Sequence, residues 1–188
     1  MDARQAILER RTAHLWKSPE EGGTVPDVVV KRALEAAHSA PCHKFTWPWG
    51  FVWAGPETRA EIFDLGVSLK CPNKDPSPRL LEKLTAKMKN PAHMVAVTQT
   101  VVEDPFTSKE DYAACASAIQ NMALSIHADG FASKWSSGGL TWHENSYKLL
   151  GVDPSTHTLI GFVWIGVPQT IPNKPARSPL TTHIRRTP

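Results

Sequence analysis

Two stretches, Met94 to Val102 and Thr158 to Ile165, carry apolar side chains at odd and even positions alike. At this length each reads as a strand with no side to turn toward water. Such a strand has to be covered above and below, so Thr158 to Ile165 is expected in the interior of a sheet. The rest of the chain must then supply helices to both faces. That requirement excludes an open, half-solvated sheet.

The helical patterns are present, in an irregular order. Ala3 to Arg11 reads as a short helix with basic residues in its last turn. His14 to Val25 is rich in Ser, Pro, Glu and Gly and reads as a loop. Pro26-Asp27 opens a second helix, in which Val29, Ala33, Ala36 and Ala37 keep helical spacing, and Pro41 ends it. Trp49, Phe51 and Trp53 alternate with Gly50, Val52 and Ala54, a strand pattern. Pro56 to about Lys70 predicts a helix, and the prolines between Cys71 and Pro78 predict a loop. Arg79 to Asn90 is amphipathic, with Leu80, Leu81 and Leu84 opposite several lysines. Lys109 to Asp129 is the longest predicted helix, stopped by Gly130. Phe131 to Trp135 predicts a short strand, and His143 to Leu150 a short helix closed by Gly151. Four strands and about six helices in this order do not form repeated βαβ units. They predict an α+β fold with helices on both faces of one sheet. The small residues Ala113 to Ala118 in the longest helix allow a close approach of another backbone, within one subunit or from a second copy.

The length of 188 residues fits a single domain, 1–188. The formal net charge is +3, and its placement is uneven. Residues 170–188 hold Lys174, Arg177, Arg185 and Arg186 and no acid, a basic C-terminal extension on a body of −1. A nearly neutral body excludes a nucleic-acid-binding domain. The basic end can hold a phosphate or simply be solvated. Three cysteines without C-x-x-C spacing, Cys42, Cys71 and Cys115, suggest reduced thiols. Met1 to Arg11 is too charged for a signal peptide, and no run reaches the length of a membrane span. A cytoplasmic protein is therefore expected. The sequence contains no P-loop, G-x-G-x-x-G, G-x-S-x-G or zincin pattern, which removes the usual phosphate-transfer, Rossmann, hydrolase and zinc options.

Two segments carry the chemistry that remains. Ala40-Pro41-Cys42-His43-Lys44-Phe45-Thr46-Trp47-Pro48-Trp49 presents a thiol, an imidazole, an ammonium and two indoles. Arg10-Arg11-Thr12 sets two guanidiniums beside a hydroxyl. Together they offer aromatic surface, hydrogen-bond donors and an anion grip, as a phosphorylated aromatic cofactor requires. Each also has an ordinary alternative. The arginines can cap the carbonyl end of the first helix, and the tryptophans can be core.

Arg10-Arg11-Thr12 resembles the Arg-Arg-Ser of FMN-dependent nitroreductases, and Ala40 to Trp49 resembles their Ala-Pro-…-Pro-Trp segment, closest to the short bacterial members. Further matches follow in order: Ala114 to Ala123, Asp129-Gly130-Phe131 to Gly138, and Leu159 to Gln169. The resemblance runs from Arg10 to Arg177. It implies a mixed, mainly antiparallel sheet and an interlocked homodimer with flavin sites at the interface. It implies FMN as cofactor and NAD(P)H as co-substrate, with ping-pong hydride transfer through flavin N5 to a nitroaromatic, quinone or similar acceptor. Arg10, Arg11 and Thr12 match the phosphate motif, and Arg177 the C-terminal basic segment. Ser39 and His43 match positions that reach the cofactor from the partner subunit. Trp135, Ser136 and Ser137 match the segment beside the flavin. No side chain matches a catalytic acid or base. Cys42, in place of the usual Ser or Asp, reads best as a packing isostere. Trp47 stands where many members have Gln, and His14 where larger members have a flavin-facing Lys. These departures leave a non-catalytic flavin- or small-molecule-binding protein of the same fold as the alternative.

Overall fold

The computed structural model describes residues 1–187; Pro188, the last residue of the expected C-terminal extension, lies outside the described residues. Four strands form one sheet: β1 (Trp49–Trp53), β2 (His93–Thr100), β3 (Ala132–Ser136) and β4 (His157–Gly166). Their spatial order is β1-β2-β4-β3, and each neighbouring pair is antiparallel. The two strands that are apolar on both sides, β2 and β4, are the two central ones. Met94 to Gln99 and Leu159 to Gly166 are all buried.

Alternation along these strands divides the interior into two layers. Val95, Val97, Val163 and Ile165 point to a face covered by α2 (Asp27–His38) and α5 (Pro105–Ala128). Met94, Ala96, Phe162 and Trp164 point to the other, where they meet Trp16, Ile62 of α3 (Pro56–Lys70) and Leu150 of α7 (Glu144–Leu150). Each fully buried aliphatic or Phe side chain contributes about 1.5–3 kcal/mol relative to exposure. The close fit of α2 on α5 comes from small side chains. Ala33 and Ala37 of α2 belong to one core cluster with Ala114, Cys115 and Ala118 of α5. Part of the small-residue run thus serves packing within the chain.

Several expectations are corrected. The four-stranded sheet is wholly antiparallel; the parallel pairing found among the described residues is a single bridge between Thr12 and Ser133. The longest helix begins at Pro105, earlier than Lys109, because Asp104 accepts a hydrogen bond from the Thr107 N–H at 2.9 Å and Pro105 fits a first helical position. The segment read as one helix over Arg79 to Asn90 is α4 (Pro78–Leu84) followed by a turn of π-helix over Thr85–Lys89. There the Asn90 N–H reaches back five residues to the Thr85 carbonyl. A one-turn helix, α6 (Gly139–Trp142), follows β3 where none was expected.

Candidate functional site

α1 (Ala3–Glu9) is capped by Asp2, whose carboxylate accepts from the Gln5 N–H at 2.8 Å. The helix stops at Arg10, which has an extended ψ of 132°. The chain then runs beside edge strand β3: Thr12 bridges Ser133, and the Ala13 N–H donates to the Ser133 carbonyl at 3.3 Å. This docking brings the Arg10-Arg11-Thr12 triplet against the sheet edge.

The two arginines divide their roles. Arg11 Nη1 donates to the carbonyls of Leu8 and Arg10, each at 2.8 Å, so it caps the first helix as the ordinary alternative has it. Arg10 does not. Its Nη1 stands 3.5 Å from Thr12 Oγ1, and its Nε is buried with no hydrogen-bond partner among the described residues. Burial pushes the Arg10 guanidinium below its ordinary pKa, and the charges of Arg11 and Arg177 push in the same direction. Three guanidiniums therefore share one locality, the third delivered by the extended C-terminal segment. No acid forms an ion pair with any of them among the described residues.

Arg10 and Thr12 open onto a cavity of about 230 Å³, with Ser133 and Trp135 of β3 and Ala116 and Gln120 of α5 in its walls. Trp135 lies across Gly161, and its Nε1 donates to the Ile160 carbonyl at 3.3 Å. A methyl group at Gly161 would occupy the space taken by this indole. Ser136 and Ser137 line a second cavity, on the far side of β3. Ser136 Oγ accepts from Trp164 Nε1 at 2.8 Å.

Ser39 and His43 are not brought to Arg10 within the chain. Ser39 terminates α2, donates from Oγ to the Glu35 carbonyl at 3.0 Å, and faces a cleft shared with Ser125 and Asn121. His43 is exposed, with Nε2 4.0 Å from Glu110 Oε2. Cys42 packs against the core layer under α2 and α5. The segment after it is bent tightly: Lys44, Phe45 and Trp47 have φ of 52°, 55° and 46°. For side chains of this size such a backbone costs of order 1–3 kcal/mol each and persists only where the surroundings enforce it. Trp47 sits between His38 and Trp49, with ring centroids 5.9 Å from each. Half of Trp47 and most of Phe45 remain in solvent, at 51% and 74% exposure. His14 is exposed.

Two features escaped the sequence reading. Asp111, buried in α5, accepts from Thr46 Oγ1 at 2.7 Å and so holds the bent segment. Lys134 projects from β3 opposite to Trp135, into the second cavity. The alternation of β3 could have separated Lys134 from Trp135; nothing in the sequence indicated what lies beneath either. No cluster of His, Cys, Asp and Glu suited to a metal ion is present among the described residues.

The chain matches the Nitroreductase family over residues 22–167. It is 26% identical over 183 residues to YfhC of Bacillus subtilis (strain 168), whose name proposes an NAD(P)H nitroreductase; the match covers 94% of this chain and 90% of YfhC. Escherichia coli (strain K12) YdjA, named in the same way, is 26% identical over 198 residues, covering 98% of this chain and all of YdjA (100%). Among solved structures, a nitroreductase-like family protein from Bacillus cereus superposes with a TM-score of 0.82 at 21% identity, covering 100% of this chain and 96% of that one. A Desulfovibrio desulfuricans protein, proposed in name as a nitroreductase and solved with FMN, gives 0.76 at 20% identity over 100% and 98% of the two chains. These structures establish the shared fold. The family match spans most of the sequence, and the chain belongs to the Nitroreductase family.

Proposed function

We propose that this protein is an FMN-dependent NAD(P)H oxidoreductase that reduces nitroaromatic, quinone or related acceptors. The observation that carries this reading is the set of Arg10, Arg11 and Arg177, close enough to repel one another and without an ion pair to an acid among the described residues, with Arg10 opening onto a cavity walled by Trp135. Like charges gathered at a partly buried position repel one another, and a bound dianion relieves that repulsion. A phosphate fits the buried, unpartnered Nε of Arg10 and the Thr12 hydroxyl, which still has its proton to donate. FMN meets this chemistry with its phosphate, and the Trp135 indole offers apolar surface to a flat ring.

In this assignment Arg10, Thr12 and Arg177 hold the phosphate, Arg11 fixes the end of α1 so that Arg10 is aimed, and Trp135 borders the ring, whereas Ser136 and Ser137, expected beside it, face the cavity on the other side of β3. FMN, when bound, supplies the group that accepts hydride from NAD(P)H and passes reducing equivalents on. The chain's own contribution is to position the reactants and shield them from water.

The whole chain is read as one FMN-binding domain that works as a homodimer, with Ser39 and His43 completing the partner's site. Large apolar side chains left in solvent support that assembly: Phe45, Trp142 and Ile171 are 74%, 76% and 84% exposed. No helix among the described residues is long and apolar enough to cross a membrane.

Purified protein should be yellow, and its flavin absorbance should bleach anaerobically with NADH or NADPH. Protein that cannot be reconstituted with FMN overturns the reading. Flavin that binds tightly and resists both nucleotides points to a binding protein without turnover. A monomer in sedimentation that keeps stoichiometric FMN removes the dimeric site.

A further inference from the structure

Strand β4 carries one residue more than β2 where the two run side by side. Val97 faces Gly161, and the next residue of β2, Thr98, faces Leu159, so Ile160 is left over as a β-bulge. The bulge breaks the alternation of β4. Leu159 and Phe162 lie in the layer with Trp16 and Ile62, whereas Ile160 and Val163 lie in the layer under α2 and α5. Ile160 and Gly161 therefore turn to the same face, the one that Trp135 shares with its cross-strand partner Val163.

Two backbone groups at the bulge bond to side chains. The Leu159 N–H donates to the Tyr147 hydroxyl at 3.0 Å, and the Ile160 carbonyl accepts from Trp135 Nε1 at 3.3 Å. The indole reaches that carbonyl because its five-membered ring lies over Gly161, where a β-carbon would collide with Nε1 and Cδ1. The extra residue thus provides the acceptor, and the glycine after it provides the seat. With its N–H engaged by Ile160, the Trp135 side chain turns apolar ring surface to the cavity beside Arg10, and at 38% exposure it has such surface to offer.

We propose that Ile160, through its bulge, and Gly161 are positioning residues for Trp135: they fix the indole as the wall on which the ring of a bound ligand lies in the cavity beside Arg10. That this ligand is a flavin rests on the oxidoreductase reading above; the seating of the indole does not.

The seating is read from indole N–H signals in magnetic-resonance spectra of the isotope-labelled full-length protein, each assigned by its loss in the corresponding Trp→Phe variant. The Trp135 signal should exchange with solvent more slowly than that of Trp142, which is 76% exposed. Gly161→Ala should shift the Trp135 signal and bring its exchange close to the Trp142 rate, while the Trp49 signal, bonded to His38 on the far side of the sheet, stays in place. A Trp135 signal that exchanges as fast as that of Trp142 in the parent, or that Gly161→Ala leaves unmoved, overturns the proposal. Trp135→Ala empties the seat, so Gly161→Ala should be tolerated in that background. A Gly161→Ala chain that unfolds alone and folds with Trp135→Ala supports the clash; one that unfolds in both backgrounds overturns it. In titrations, Gly161→Ala should weaken FMN and riboflavin alike, by about tenfold, because the ring wall is lost and the phosphate grip is kept. Added to Trp135→Ala, it should change neither affinity by more than about twofold. Undiminished affinity in Gly161→Ala, an equal cost in both backgrounds, or a loss of FMN that spares riboflavin overturns the positioning role. Protein that takes up neither flavin removes the flavin reading, and the indole signals still decide the seating.

Discussion

Thr46 Oγ1 donates to Asp111 Oδ1 at 2.7 Å, a side-chain hydrogen bond that spans 65 positions in sequence and ends on a carboxylate only 2% exposed. It pins the bent segment carrying Lys44, Phe45 and Trp47 to the first half of α5. Replacing Thr46 with Val keeps the shape and removes the donor. An unpartnered buried acceptor costs about 1–3 kcal/mol, more where it is charged. Urea unfolding should register a loss of that size, with altered tryptophan emission from the freed Trp47. A Thr46→Ser variant should recover most of the stability.

Arg10→Ala should weaken FMN binding far more than Arg185→Ala, which alters a solvent-exposed tail position. Loss of a charge-assisted hydrogen bond costs roughly 1.5–3 kcal/mol, about ten- to hundredfold in affinity. Riboflavin, which lacks the phosphate, should be affected much less. Titrating both flavins into both apo variants decides the matter; equal losses at Arg10 would reassign the phosphate site.

Asp104 caps α5 and should give stability a pH dependence. Hydrogen bonds from the Thr107 hydroxyl and then its N–H hold the carboxyl below its ordinary value of 3.8. A carboxylate with a depressed folded-state pKa stabilises the fold above the unfolded-state value, and that contribution fades as pH falls through the folded one. The melting-temperature gap between the parent and Asp104→Ala should therefore be widest near neutrality and narrow in acid. A gap that widens on acidification would contradict the cap's charged character.

The three free cysteines should differ sharply toward alkylation. Burial, aided by the nearby charge of Asp111, pushes the Cys115 thiol up to about 12, and its Sγ–H is directed at the Thr98 carbonyl at 3.8 Å. Since the thiolate is the reactive form, Cys115 should resist iodoacetamide at pH 8 until the protein unfolds. Cys42, half-buried, should be labelled first. Mass spectrometry of native and urea-treated samples separates the two sites.

What could be read from the sequence was whatever depends on short-range pattern. β2 and β4 announced their central place because no alternation left a wet side, and α3 could be bounded at Pro56 and Lys70 from its proline start and the proline-rich loop beyond. α6 was missed because Gly138-Gly139 reads as a break, and the Thr141 side chain that binds both the N–H and the carbonyl of Gly138 acts only once the turn exists. The π turn after α4 was equally invisible, since Thr85 to Lys89 are ordinary helix formers and their altered hydrogen bonding reflects packing beside α3. At the candidate site, the residue types were legible and their division of labour was not. Arg10 and Arg11 look alike in sequence; where α1 ends decides which one caps the helix and which one faces the cavity.

The bridge between Thr12 and Ser133 has a consequence for solubility. β3 is a lateral strand, and a bare lateral strand offers unpaired amides and carbonyls on which another molecule can add a strand. Here Thr12 and Ala13 of the N-terminal segment occupy part of that position, directly after two arginines. Thr12, proposed to grip a phosphate, thereby also covers part of the sheet edge, and clipping the first dozen residues should uncover a template for aggregation.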